Sequence, residues 1–117
     1  MSDTLRKFLT DCSTPDEFCF ALECAECGRV LRSTPLKFSK SGVVPASSEK
    51  QVIFKALYRW EKEAAMERAA AELKTLFNEC PICRRMVCDH CFLICDELDM
   101  CTDCAQRLNE HGEPVLI

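Results

Sequence analysis

The spacing of its cysteines constrains this chain more than any other feature. Eleven of the 117 residues are cysteine, a fraction typical of a disulfide scaffold or a metal-binding protein. Eight of them form four Cys-x-x-Cys pairs: Cys24/Cys27, Cys80/Cys83, Cys88/Cys91 and Cys101/Cys104. Two intervening residues let both sulfurs of a pair bind one ion at about 2.3 Å, so two pairs complete a tetrahedral site. The sequence therefore predicts two closed four-cysteine sites, each holding a zinc ion.

The rest of the sequence favours metal sites over disulfides. The first eleven residues never place more than two apolar residues in succession, and no stretch approaches the roughly 18 apolar residues of a membrane span. We therefore expect a cytoplasmic protein without a membrane partner, in which thiols stay reduced. The 15 basic and 19 acidic residues give a net charge of −4, whereas a nonspecific nucleic-acid binder needs a basic footprint. A nucleic-acid-binding or transcription-associated zinc finger is thus a disfavoured alternative.

Nothing in the sequence predicts an enzyme. A closed four-thiolate site has no open coordination position, and the chain shows no catalytic triad, phosphate loop or paired-carboxylate signature. The predicted function is a non-enzymatic protein-interaction or adaptor module in which zinc fixes the fold. The three remaining cysteines, Cys12, Cys19 and Cys95, are interpreted as small buried hydrophobic residues.

The order of patterns along the chain predicts one small α+β zinc domain over residues 1–117, with short β-hairpins and one long inserted helix. Residues 1–40 hold an N-terminal segment and the first knuckle hairpin, 48–79 the long helix, and 80–117 a module of three knuckles. Short helices are expected at 3–11 and 103–110, and strands at 18–24 and on both sides of a turn within 28–38.

The long helix is the candidate binding element. Neither Gly nor Pro interrupts residues 49–78, Ser48 with Gln51 fits a capping box, and Pro81 marks the far end. In the first half, the side chains that share one face are Ile53, Leu57, Trp60 and Ala64. In the second half the apolar face lies on another side and comprises Met66, Ala69, Ala70, Leu73, Leu76 and Phe77. We expect the second half to pack on the zinc module and the Ile53, Leu57 and Trp60 face to bind a protein partner or a second copy of the chain, unless that face is packed inside the domain.

Spacing alone leaves two ways of combining the pairs. In a sequential arrangement Cys24 and Cys27 share an ion with Cys80 and Cys83. In a crossed arrangement they share it with Cys88 and Cys91, which leaves the second and fourth pairs for the other ion.

One segment resembles a known family. The run Cys80-Pro81-Ile82-Cys83-Arg84-Arg85-Met86-Val87-Cys88-Asp89-His90-Cys91 resembles the central part of FYVE-type fingers, where two knuckles are also four residues apart. The resemblance implies crossed pairing. FYVE domains bind a phosphoinositide through a basic stretch with paired histidines at the third ligand, whereas Phe77-Asn78-Glu79 precedes Cys80 here. Lipid binding is therefore not implied.

Other members of the cysteine-rich zinc-finger superfamily share parts of this pattern, including zinc-ribbon knuckles. Cys80-Pro81-Ile82-Cys83 is similar to the opening of a RING domain, which implies a ubiquitin ligase. However, Cys88-Asp89-His90-Cys91 stands where a RING has Cys-x-His-x-x-Cys. Both the first pair, followed by Gly28, and the second pair also resemble rubredoxin, which implies iron and a redox function. The second four-cysteine set and the long insert favour zinc.

Overall fold

A computed structural model describes residues 4–116 as three helices and ten short strands. The helices are α1 (Thr4–Phe8), α2 (Ser48–Lys74) and α3 (Thr102–Leu108). The strands are β1 (Thr10–Asp11), β2 (Glu17–Phe18), β3 (Phe20–Glu23), β4 (Val30–Arg32), β5 (Leu36–Lys37), β6 (Phe77–Glu79), β7 (Met86–Cys88), β8 (Phe92–Ile94), β9 (Met100–Cys101) and β10 (Glu113–Pro114). The predicted α+β class, with short antiparallel strands, one long helix and two four-cysteine clusters, is confirmed. Within the described part of the chain, no helix has the length and apolarity needed to cross a membrane.

The long helix differs from its prediction at both ends. Its N-cap is Ser47, whose Oγ accepts a hydrogen bond from the Lys50 amide at 3.2 Å. Ser48 is already helical, so the expected Ser48/Gln51 capping box is wrong by one residue. The helix ends at Lys74, and the predicted extent of 48–79 is wrong in its last turn. The reason is that residues 77–79 form β6, which pairs with β7 across the second cysteine knuckle.

The strands form two three-stranded and two two-stranded sheets. Strand β3 lies between β1 and β4, and β8 lies between β10 and β9, while β2 pairs with β5 and β6 with β7. The two strands predicted within 28–38 exist as β4 and β5, but they pair with β3 and β2 rather than with each other. The helix predicted over 3–11 ends at Phe8, because Thr10 and Asp11 pair with β3. The predicted strand over 18–24 is divided at Cys19 into β2 and β3.

Two hydrophobic cores lie along α2. The first surrounds the cysteine clusters and contains Leu5, Leu22, Leu73, Phe77, Met86, Val87, Met100 and Ala105. The second consists of Phe18, Phe20, Phe38, Ala65 and Ala69, with Phe54, Leu57 and Tyr58 packed against it. The last turns of α2 pack on the cysteine-rich module through Ala70 and Leu73, whereas Met66 and Ala69, which were expected to do the same, pack in the second core. The first half packs through Phe54, Leu57 and Tyr58. The prediction that Leu57 belongs to the partner-binding face is therefore wrong, whereas Ile53 and Trp60 stay 57% and 73% exposed.

Candidate metal centres

The eight paired cysteines converge in two clusters. Sulfurs of Cys24, Cys27, Cys88 and Cys91 lie within 4.8 Å of one another and form the first centre, and those of Cys80, Cys83, Cys101 and Cys104 form the second centre on the same criterion. The grouping is the crossed one that the FYVE resemblance implies, not the sequential one. Each centre therefore joins two parts of the chain that are separated in sequence.

Distances between the sulfurs fit a tetrahedral ion. In the first centre Cys88 Sγ lies 3.8 Å from both Cys27 Sγ and Cys91 Sγ. In the second centre the Cys80–Cys104 and Cys83–Cys101 separations are 3.8 and 3.7 Å. Four sulfurs bound tetrahedrally at about 2.3 Å lie about 3.8 Å apart, whereas a disulfide needs about 2.05 Å. All eleven cysteines are free thiols, and each centre has the size and donor set of a four-thiolate metal site.

The first knuckle has a turn that directs amides at a sulfur. The Cys24 amide donates to Arg29 O at 2.8 Å, and the Gly28 amide donates to Cys24 O at 3.0 Å. Gly28 has φ +78°, a conformation that glycine adopts without steric cost. The turn places the amides of Glu26 and Cys27 3.4 and 3.5 Å from Cys24 Sγ. These N–H groups stabilise the thiolate form of Cys24.

The second knuckle repeats this turn with arginine in place of glycine. The Cys80 amide donates to Arg85 O at 2.9 Å, and the Arg84 amide donates to Cys80 O at 2.8 Å. Arg84 therefore occupies the position of Gly28 and has φ 65°, which costs an L-residue roughly 1–2 kcal/mol. The knuckle's own hydrogen bonds hold this strained residue in place.

Strands and α3 supply the other half of each centre. The Cys88 amide, at the end of β7, donates to Cys24 Sγ at 3.3 Å, and the Cys101 amide, at the end of β9, donates to Cys80 Sγ at 3.4 Å. Cys101 is also the N-cap of α3, and its sulfur accepts the Cys104 amide at 3.5 Å. Each centre thus has backbone N–H groups from one knuckle aimed at a sulfur of the other.

Two arginines compensate charge at the second centre. Arg85 donates to Cys83 Sγ at 3.3 Å and to Cys101 Sγ at 3.6 Å, and Arg107 donates to Cys104 Sγ at 3.4 Å. Arg85 also forms an ion pair with Glu26 at 3.3 Å. These contacts make Arg85 a counter-charge for the thiolates, whereas its neighbour Arg84 forms an ion pair with Glu79. The sequence analysis did not identify Arg107 as a donor to a thiolate. The signal was its spacing, since Arg107 follows Cys104 by three residues on α3 and therefore lies on the same helix face.

The pKa values of the thiols differ within each centre. Burial acts to raise the pKa of Cys83, but hydrogen bonds from the Arg85 guanidinium, the Arg85 amide and the neighbouring thiols together outweigh it and lower that pKa to about 6. Burial likewise opposes ionisation of Cys24, yet the amides of Cys27, Cys88 and Glu26 bring its pKa down to about 7. Burial and the neighbouring thiols raise the pKa of Cys91. Four thiolates cannot stay ionised this close together without a bound cation.

The remaining cysteines and both histidines lie outside the centres. Cys19 is buried and its sulfur donates to Ser33 O at 3.5 Å, which agrees with its interpretation as a small buried residue. Cys12 and Cys95 are only half-buried, so the same interpretation is wrong for these two residues. His90, within the third Cys-x-x-Cys pair, is exposed.

Comparison with protein-family models, curated protein sequences and solved structures finds no significant match. The likeness to FYVE-type, RING-like and zinc-ribbon fingers is therefore one of motifs. What the geometry supports is a cysteine-rich domain with two four-cysteine groups that can hold metal ions.

Paired cysteine variants test the crossed grouping. Cys27→Ser/Cys91→Ser removes two ligands of the first centre and should leave one bound ion per chain. Cys91→Ser/Cys101→Ser removes one ligand from each centre and should abolish tight binding at both. Metal per chain is measured by elemental mass spectrometry after dialysis. Sequential pairing would give the opposite pattern, since Cys91 and Cys101 would then share a centre.

Arg85 is expected to control affinity at the second centre. Arg85→Gln removes donors to two sulfurs and should weaken that centre about 10-fold to 100-fold, the usual effect of losing an outer-shell partner. Competition with a chelator that reports free zinc measures the affinity of each centre. Arg84→Gln is the matched control, because it alters the adjacent arginine without touching a sulfur. Equal effects of the two variants would contradict a role for Arg85 at the centre.

Proposed function

We propose that this protein is a non-enzymatic protein-interaction module, in which two zinc ions stabilise the fold and the outer face of α2 binds a second copy of the chain. The observation that carries the proposal is the exposure of Trp60, the chain's one tryptophan, which is 73% exposed on a helix held to the cysteine-rich module. Large exposed apolar side chains that cluster mark interaction sites, whereas scattered ones need no explanation.

Zinc is the ion that best suits both centres. Tetrahedral four-thiolate sites bind zinc or iron, so the distances alone fit either. Seven of the eight paired cysteines, all except the exposed Cys27, lie in or against the first hydrophobic core, where a closed zinc site would contribute directly to folding. A chain of this size has a limited core, and small domains commonly depend on such an ion. Closed coordination also supports a non-enzymatic role, because no position is left for water or substrate.

The exposed apolar residues of α2 are aligned. At about 100° per residue, Ile53, Trp60, Ala64 and Ala71 fall within about 20° of one line along the helix. All four are exposed, and we call them the outer stripe. The buried residues Ala65, Ala69 and Leu73 lie on the opposite side. The outer stripe therefore faces away from the rest of the domain. It is roughly 27 Å long, at 1.5 Å per residue.

The outer stripe is complementary to itself. If two copies of α2 pair antiparallel about a two-fold axis that crosses the outer stripe at the height of residue 62, Ile53 faces Ala71 and Trp60 faces Ala64 of the other copy. Large residues then meet small ones at every level, which lets the helices approach closely. Such a two-fold interface uses the same patch on both chains. With flanking side chains it would bury on the order of 1,000 Å², near the lower limit for a specific interface.

Charge reversal on the outer stripe tests self-association. Trp60→Glu should convert a dimer to a monomer at concentrations of about 10–100 μM, because it places two buried carboxylates in the interface. Val52→Glu is the matched control: Val52 is 69% exposed but lies about 80° away from Trp60 round the helix. Sedimentation equilibrium measures mass, and circular dichroism and zinc content check the fold.

If the wild-type chain remains monomeric at about 10–100 μM, the proposal that α2 binds a second copy of the chain is wrong. A loss of helicity in Trp60→Glu, but not in Val52→Glu, would instead assign Trp60 to the internal packing of the domain.

A further inference from the structure

A second surface lies on another side of α2, where the helix meets the loop between β1 and β2. A cavity of about 600 Å³ opens there, lined by Ser13, Thr14, Pro15, Phe38, Phe54, Lys55, Tyr58 and Arg59. We call it the aromatic groove. None of its lining residues belongs to the outer stripe, so its occupancy is independent of helix pairing.

Three aromatic rings form the floor of the aromatic groove. Phe38 is buried, and its ring centroid lies 5.2 Å from that of Tyr58 and 6.4 Å from that of Phe54, with edge-to-face geometry. Phe54 and Tyr58 are only half-buried and remain accessible from outside. The floor therefore offers ring faces and edges to an apolar side chain.

Hydrogen bonds hold both walls of the groove in place. The Tyr58 hydroxyl donates to Thr14 O at 2.8 Å and ties the β1–β2 loop to α2. On the Phe38 side, the Ser39 amide donates to Glu61 Oε1 at 3.0 Å. Because the walls are already positioned, a ligand would lose little free energy in ordering them.

The rim of the groove is positively charged. Lys55 and Arg59 lie one turn apart on α2, both are exposed, and within residues 4–116 neither forms an ion pair. Two nearby carboxylates are engaged elsewhere, since Asp16 accepts from Ser41 Oγ at 2.8 Å and Glu61 binds Ser39. An apolar floor is thus bordered by two cations that are free to bind an anionic ligand.

We propose that the aromatic groove binds an acidic peptide segment of a partner protein. This would be a second binding site, separate from the pairing of two α2 helices proposed above. One large apolar side chain of the peptide would lie on Phe38, Phe54 and Tyr58, and its neighbouring carboxylates would pair with Lys55 and Arg59. The cavity is open to solvent rather than enclosed. Small-molecule sites enclose most of their ligand, whereas an extended peptide can lie in an open groove and insert single side chains.

A labelled peptide tests the groove directly. The probe is a fluorescein-tagged nonapeptide with a central phenylalanine flanked by glutamates, and fluorescence anisotropy measures its binding to the zinc-loaded chain. Two further peptides serve as comparisons, one with lysine in place of every glutamate and one with alanine in place of phenylalanine. We expect the acidic probe to bind with a dissociation constant below about 1 mM, and both comparison peptides to bind at least fivefold more weakly.

Variants of the protein locate the site. The double variant Lys55→Glu/Arg59→Glu should weaken binding of the acidic probe at least fivefold. The control is Lys50→Glu/Arg68→Glu, which makes the same change in net charge on exposed residues elsewhere on α2 and should change the affinity less than twofold. Phe54→Ala should weaken it at least fivefold, with Val52→Ala as its control. The charge variants alter only exposed side chains and should keep the fold.

Failure of the acidic probe to bind would overturn the proposal. Equal binding of the lysine peptide would do the same, as would equal effects of the two charge-reversal variants.

Discussion

Four thiolates placed this close together need a cation, and the two four-cysteine groups that could hold one connect distant parts of this chain. The first centre connects the knuckle at residues 24–27 to residues 88–91, and the second connects residues 80–83 to 101–104. Five of the eight paired cysteines are buried in the first core, Cys83 and Cys91 are half-buried against it, and Cys27 is exposed. Without an ion, mutual repulsion would favour protonated thiols, and the hydrogen bonds from amides and arginines to the sulfurs would lose much of their strength.

The crossed grouping also explains how a long helix is accommodated. Helix α2 lies between the first and second knuckles, and the first centre joins the segments before and after it through Cys27 and Cys88. Near its C-terminal end Leu73 is fully buried beside the cysteines, and further back Ala65 and Ala69 pack on the aromatic residues of the second core. One side of the helix is thereby fixed to the domain. The outer stripe and the aromatic groove occupy the sides that remain accessible.

Cysteine spacing was enough to predict the eight sulfurs that converge, since a two-residue gap is a local property of a metal-binding turn. The gaps between pairs fit either grouping, because pairing depends on how distant strands come together. The end of α2 was mispredicted for the same reason: residues 77–79 continue a helical pattern locally, but pairing with β7 makes them a strand. Arg84 shows the limit most clearly, because no local signal distinguishes a left-handed arginine from an ordinary one.

The packing face of α2 shows a further limit of sequence patterns. Periodicity placed Ile53, Leu57 and Trp60 on one face, and the structure leaves Ile53 and Trp60 exposed. The face of α2 that carries Tyr58 packs on the domain because the rings of Phe18 and Phe38, which lie far away in the sequence, contact the Tyr58 ring. An apolar face could be identified from the sequence, but its partner could not.

The most direct test of the central claim is elemental analysis of protein purified without added metal, followed by chelation. The account predicts two zinc ions per chain, little iron, and loss of the ordered core when zinc is removed, as for other structural zinc sites. A chain that stays folded without metal, or that holds iron or a single ion, would contradict it.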